Sequence, residues 1–143
     1  MNTKVLLAAL AGGIAYFFLG WLVYGMLLGS TFHSMMTTES AAVTRPETEM
    51  IMWAMAVSCL VFGLLLAVIY SRWANISTFK TGAIAGAIIT FLMTLGTDLG
   101  MFSMYNLTTG GAGLLINPIV NAALGGIIGG VVGWVLGYGG DKK

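Results

Sequence analysis

The sequence predicts an all-α membrane protein: an antiparallel bundle of four transmembrane helices with both termini in the cytoplasm. Three observations predict it: a high apolar content, few charges, and four long apolar runs. Hydrophobic residues make up 58% of the 143 residues and charged residues only 8%, whereas a soluble domain carries about 25% charged residues. The mean hydropathy of +0.94 agrees. So few charges cannot cover a water-soluble fold, which excludes the soluble enzyme classes.

The apolar runs are long enough to cross a bilayer, which takes about 20 residues of helix. They lack the alternation of apolar and polar residues that is typical of barrel strands. The first run is longer than the roughly 7–15 residues of a signal-peptide core, so we interpret it as a span. The chain is therefore one membrane domain, residues 1–143, with spans at about 5–28, 50–70, 81–105 and 114–138 and an outer loop at 29–49.

The basic residues predict the orientation. Four spans place both termini and the middle connection on one side of the membrane, and cytoplasmic segments carry an excess of Lys and Arg. Arg45 lies in the outer loop among three glutamates. Aromatic rings favour the membrane interfaces, so Tyr70 is expected at the inner one. The other five basic residues lie on the side that we predict to be cytoplasmic: Lys4, Arg72, Lys80, Lys142 and Lys143.

Two short helical signals occur in the outer loop. Residues 32–36 are expected to form a short helix at the interface. Thr44 and Glu47 have the spacing of a capping box, and Pro46 is tolerated in a first helical turn. The second span is therefore expected to begin outside the membrane, near Thr44.

Spans three and four each carry small or polar residues at every fourth position, which places them on one helix face. Small residues let helix backbones approach closely in lipid. In antiparallel spans, Gly82 and Gly86 are expected at the level of Gly133 and Gly137. The alternative is a homodimer face on span four, which also carries Gly126 and Gly130. The glycines predicted to pack the two helices are Gly82, Gly86, Gly125, Gly129, Gly133 and Gly137.

The polar ends of these two rows predict a candidate ion or proton site. Asp98 is an ionisable residue within a span, where charge costs about 2.5–3.5 kcal/mol near the centre, so it requires polar partners. A rise of about 1.5 Å per residue brings Asp98 to the level of Asn117 and Asn121. The alternative is a polar clasp that holds helices together. The candidate residues are Asp98, Thr94, Asn117, Asn121, Tyr24 and Asn106.

Pro118 follows Asn117 near the start of span four. We interpret it as a residue of the first helical turn, where proline is tolerated. The alternative is a broken helix that exposes backbone to a ligand, as in transporters.

Metal and cofactor sites are not predicted. Nine of the ten methionines fall in the outer half or outer loop, and Met35 and Met36 lie close to His33. Thioether and imidazole groups suit Cu(I), but methionine is also an ordinary apolar filler. The weak metal candidates are therefore His33, Met35 and Met36.

No catalytic or nucleic-acid-binding pattern is present. The sequence contains no GxSxG, HExxH, CxxC or phosphate-loop motif. Cys59 is the single cysteine, so no intrachain disulfide forms. The net charge of +1, with no basic stripe, gives no surface for nucleic acid. We therefore predict that the chain is not an enzyme.

Several segments resemble a group of small bacterial four-helix membrane proteins of unknown function. The resemblance implies a bacterial cytoplasmic membrane and carries no assigned activity. Its residues are Asp98 and the segments 20–25, 45–47, 76–80 and 133–137, which read GWLVYG, RPE, ISTFK and GWVLG.

Two functions remain as hypotheses. The first is a non-catalytic accessory or scaffold protein, or a homo-oligomeric membrane subunit. The second is a small oligomeric transporter or channel for protons, cations (including soft metals) or a small solute, which would use Asp98 and the outer polar residues. The expected partners are the lipid bilayer and either further copies of the chain or another membrane protein.

Overall fold

The computed structural model describes residues 2–138, apart from the side chain of Glu47. Four of its helices are long and apolar enough to cross a membrane, which confirms the prediction of an all-helical chain with four candidate spans. Lys142 and Lys143 lie outside the described residues. The helices are α1 (Thr3–Gly20), α2 (Gly29–Met35), α3 (Thr38–Val43), α4 (Met52–Ile69), α5 (Phe79–Met104) and α6 (Gly113–Gly137).

Two of the long helices end in a π-helical segment. α1 continues as a π-helix through Trp21–Leu27, and α4 continues as one through Tyr70–Ala74. Asn75 then adopts a left-handed conformation with φ of 49°. Asn is among the residues that tolerate this conformation at a helix end. α5 begins after Thr78, whose side chain accepts a hydrogen bond from the Thr81 amide, as in an N-cap.

The outer loop differs from its prediction at Thr44. The short helix predicted at 32–36 corresponds to α2, which ends at Met35 and leaves Met36 outside. Thr44, however, ends α3, and its hydroxyl donates to the Ser40 carbonyl at 2.8 Å. α4 begins only at Met52, after a 3₁₀ turn at Glu47–Glu49. The predicted start was wrong because Pro46 disfavours helical backbone at the preceding residue, Arg45.

The long helices pack in the order α5, α6, α1, α4. α5 packs along α6, α1 packs on both α6 and α4, and α4 has a smaller contact with α6. α4 and α5 approach each other at few points, so a cleft separates them. Phe62 of α4 and Met93 of α5 line this α4–α5 cleft.

The connections gather at two ends of the bundle. The segment between α1 and α4 meets the segment between α5 and α6. The Thr37 hydroxyl donates to the Asn106 carbonyl, and the Thr109 amide donates to the Met35 carbonyl. We call this the long-loop end. At the other end, the short-loop end, Asn2 and Lys4 line one cavity with Asn75 and Ser77.

Glycines hold α5 against α6, with a register one turn away from the expected one. A Cβ atom on Gly82 would meet the Gly129 carbonyl and, at 3.2 Å, the Gly133 Cα. A Cβ on Gly86 would meet the Gly125 carbonyl and, at 2.9 Å, the Gly129 Cα. Gly137, which was expected opposite α5, lies instead against the carbonyl of Ser77, because the contact between the two helices ends there.

A second glycine contact joins α1 to α4. A Cβ on Gly63 would meet the Ala9 carbonyl and, at 2.6 Å, the Gly13 amide nitrogen. A Cβ on Gly13 would in turn lie 2.8 Å from the Cα of Leu60. This backbone contact brings the two helices together nearer the short-loop end, and their other halves diverge around a groove.

Tyr70 is buried between the helices, a contact that the sequence did not predict. Its side chain is fully buried, and its hydroxyl donates to the Gly82 carbonyl at 2.6 Å. A Cβ on Gly129 would collide with this hydroxyl. The Tyr70 hydroxyl therefore occupies space that a side chain at Gly129 would fill.

Candidate polar site

The candidate polar site begins with Asp98 on α5 and Asn117 on α6. The Asn117 Nδ2 donates to the Asp98 Oδ2 at 2.7 Å. Asp98 is partly buried, lying on the α5 face that turns towards α6 and the α4–α5 cleft. A carboxylate that accepts from an amide makes a stronger hydrogen bond than two neutral groups do. This bond ties the two most closely packed helices together near the long-loop end.

Tyr24 extends the site to α1. Its hydroxyl donates to the Asn117 Oδ1 at 2.8 Å and accepts from the Asn121 Nδ2 at 2.7 Å. Tyr24 lies in the π-helical segment after α1. A π-helical segment changes the direction of the side chains that follow it, and such segments are frequent at functional sites.

Asn121 bonds to Asn117 within α6. Its Nδ2 lies 3.0 Å from both the carbonyl oxygen and the Oδ1 of Asn117, one helical turn earlier. Its Oδ1 accepts from the Tyr16 hydroxyl at 3.4 Å. Asn121 is buried, so these contacts supply the partners that a buried amide requires.

A cavity of about 190 Å³ opens beside this network in the α4–α5 cleft. Its walls come from four helices, and hydroxyl, amide and carboxylate oxygens dominate its polar groups. Such oxygens suit protons, water and hard cations rather than soft metals. The lining residues are Tyr16, Phe62, Thr90, Met93, Thr94, Thr97, Asp98 and Asn121.

Five of the six candidate residues lie at this site, and Asn106 does not. Asp98, Asn117, Asn121 and Tyr24 are linked by hydrogen bonds, and Thr94 lines the cavity. The exposed Asn106 belongs to the connection between α5 and α6, where its carbonyl accepts from Thr37 at 2.6 Å.

Sequence reasoning missed three residues of this site: Tyr16, Thr90 and Thr97. Tyr16 precedes Tyr24 by two intervals of four residues in the first predicted span, and this spacing is a signal that could have found it. Thr90 belongs to the row that contains Asp98, but its hydroxyl also bonds back to the Gly86 carbonyl at 2.8 Å. Thr97 lies beside Asp98 and had no signal of its own.

Pro118 lies within α6, contrary to its predicted place in the first turn. α6 begins at Gly113 and runs through the proline without a break, so neither earlier interpretation holds. The proline ring is fully buried. A proline at this point removes the hydrogen bond to the carbonyl one turn earlier, that of Leu114.

The weak metal candidates lie on α2 and just after it. His33 is exposed, and Met36 pairs with Thr108 across an isolated bridge. A Cβ on Gly113 would lie 3.3 Å from the Met35 sulfur, which shows that this thioether packs on the start of α6. Among the side chains that the structure describes, no three of His, Cys, Asp or Glu converge.

Comparison of the chain with protein-family models, with curated proteins and with solved structures found no match.

Proposed function

We propose that the chain is a small bacterial integral membrane protein, an antiparallel four-span bundle with both termini in the cytoplasm. The four apolar helices support a membrane location. Lys4, Arg72 and Lys80 belong to segments at or near the short-loop end, and an excess of basic residues favours the cytoplasmic side. The bacterial cytoplasmic membrane is part of this proposal and rests on the resemblance seen in the sequence alone.

We infer that the protein acts as a non-catalytic subunit, either as a homo-oligomer or as an accessory or scaffold protein beside a different membrane protein. The single observation that carries this is the bonded set Asp98, Asn117, Asn121 and Tyr24, because its links join α5 to α6 and α6 to the end of α1. These polar side chains bond to one another and stabilise one arrangement of the bundle, which supports a structural role for them rather than a catalytic one.

The α4–α5 cleft supports an assembly rather than a lone chain. Asp98 and Thr94 border a cavity that is open on this side. Polar residues at membrane depth almost always face protein or water, since exposure to lipid is costly. A further transmembrane segment across the cleft would shield them.

Native mass spectrometry after gentle extraction tests this proposal. We expect species at multiples of 15.0 kDa, or one 15.0 kDa chain with a distinct partner. Thr97→Phe places a large ring in the cleft and should disrupt the assembly. Leu10→Phe, on an exposed face of α1, is the matched control and should leave it intact. A monomer in every gentle detergent would contradict the proposal.

Transport of protons, cations or a small solute is a second candidate function, favoured by the cavity beside Asp98. Flux into proteoliposomes tests it. We expect wild-type protein to pass protons or a monovalent cation, and Asp98→Asn to reduce that flux. Absence of flux with wild-type protein, or full flux with Asp98→Asn, would remove this candidate.

A further inference from the structure

The largest described cavity lies where α1 and α4 diverge towards the long-loop end, and it shares Tyr16 and Tyr24 with the candidate polar site. It measures about 810 Å³, which is within the range of about 300–1,000 Å³ for ligand pockets. We call it the α1–α4 groove. Its lining residues include Phe17, Trp21, Met26, Met50, Met52, Met55, Ser58 and Cys59.

Sulfur is concentrated in this groove. The chain has ten methionines and one cysteine, and five of these eleven residues line the α1–α4 groove. They come from segments far apart in the chain, so the fold brings them together. The five are Met26, Met50, Met52, Met55 and Cys59.

Three of these residues form a row on α4. Met52, Met55 and Cys59 are spaced by three and four positions, which places them on one face of the helix. That face lines the groove. The π-helical segment after α1 carries Met26, which lines the same groove. The sulfur groups therefore reach the groove from two helical segments.

The chemistry of this lining selects soft monovalent metals. Thioether and thiolate sulfur favour Cu(I), whereas carboxylate and carbonyl oxygens favour Mg²⁺ and Ca²⁺. The residues described around the groove include no carboxylate and no imidazole. The methionines are flexible and unbranched, so they can adjust towards an ion.

We propose that the α1–α4 groove binds a soft monovalent metal ion, Cu(I) or Ag(I), through Met52, Met55 and Cys59, with Met26 or Met50 as a further ligand. This site is separate from His33, Met35 and Met36 on and beside α2. None of its proposed ligands lines the α4–α5 cleft beside Asp98, although Tyr16 lines both cavities and Tyr24 of the groove bonds to Asn117.

Titration of the purified protein with Ag(I), which needs no added reductant, tests the site. Bound silver is measured by elemental mass spectrometry after desalting, and alkylation of Cys59 by a maleimide is followed in parallel. We expect one Ag(I) per chain and slower alkylation of Cys59 when silver is bound.

Variants locate the ligands. The double variant Met52→Leu/Met55→Leu keeps side-chain volume close to that of the native protein. It should weaken Ag(I) binding by about tenfold or more, because replacing even a residue that only hydrogen-bonds to a metal ligand lowers metal affinity by about 10–100-fold. The matched control is Met101→Leu/Met104→Leu on α5. These two methionines line neither the α1–α4 groove nor the cavity in the α4–α5 cleft, so this variant should bind Ag(I) as wild type does.

Three results would overturn the proposal. One is a wild-type protein that retains no silver after desalting. Another is equal loss of affinity in the two double variants, which would indicate nonspecific binding to methionine. The third is binding that Cys59→Ala abolishes while Met52→Leu/Met55→Leu leaves it unchanged, since a lone thiol would then account for it.

Discussion

Asn117 and Asp98 lie on different helices, and the Asn117 Nδ2 donates to the Asp98 Oδ2 at 2.7 Å. The same Asn117 accepts from Tyr24 through its Oδ1 at 2.8 Å. One amide group thus connects α5 with the π-helical end of α1. Its position at the crossing of three segments explains how the chain accommodates a carboxylate within an apolar helix.

Replacement of Asp98 should separate hydrogen bonding from charge. Asp98→Asn retains an oxygen that can accept from Asn117, so its stability should be close to that of wild type. Asp98→Leu removes the acceptor and should lower the free energy of unfolding by about 1 kcal/mol, within the range for hydrogen bonds between membrane helices. Unfolding in mixed micelles measures both. Ser103→Ala, which removes only a bond within α5, is the control. Equal stability of Asp98→Leu and Asp98→Asn would contradict this role.

Gly86→Ala should weaken the contact between α5 and α6. The added Cβ would meet the Gly125 carbonyl and lie 2.9 Å from the Gly129 Cα. Overpacking of this kind costs about 1–3 kcal/mol. Gly96→Ala on the same helix is the matched control, because nothing lies within 4 Å of its Cβ. It should be neutral or slightly stabilising, since Ala favours helix more than Gly does. Thermal unfolding in detergent compares the two, and equal midpoints would contradict the packing.

Gly63→Ala should weaken the contact between α1 and α4 in the same way. Its Cβ would meet the Ala9 carbonyl and the backbone of Gly13. Gly20→Ala on α1 has open space around its Cβ, so it should leave the helices in place. Thermal unfolding in detergent compares the two variants, and a wild-type midpoint for Gly63→Ala would argue against this contact.

Tyr70→Phe should destabilise the protein although it changes one atom. The hydroxyl is buried and donates to the Gly82 carbonyl at 2.6 Å. Its loss should cost about 1 kcal/mol, the typical net value of such a bond. Tyr138→Phe is the control, because Tyr138 is 73% exposed. Unfolding midpoints that match in the two variants would show that the buried bond contributes nothing.

The four long apolar helices and the pairing of the glycine rows were accessible from the sequence because they depend on length and on a spacing of four residues. The register between the rows was less accessible. Counting residues from assumed span starts placed Gly82 opposite Gly133 and Gly137, whereas it lies between Gly129 and Gly133. An error of a few residues in each span start is enough to shift a register by one turn.

Other parts of the fold had no local signal. The buried place of Tyr70 depends on the gap beside Gly129 on another helix, which no property of its own segment reveals. The grouping of Met26 with Met52, Met55 and Cys59 required knowledge of how α1 and α4 diverge. Spacing predicts which residues share a face, but not what lies opposite that face.

The most direct test of the polar clasp is a double-mutant cycle on Asp98→Leu and Asn117→Leu. Unfolding free energies are measured in mixed micelles for wild type, both single variants and the double variant. We predict a favourable coupling of about 0.6–1.7 kcal/mol between the two side chains, as for other hydrogen bonds between membrane helices. Additive effects of the two substitutions, with no coupling, would contradict the claim that this pair holds α5 to α6.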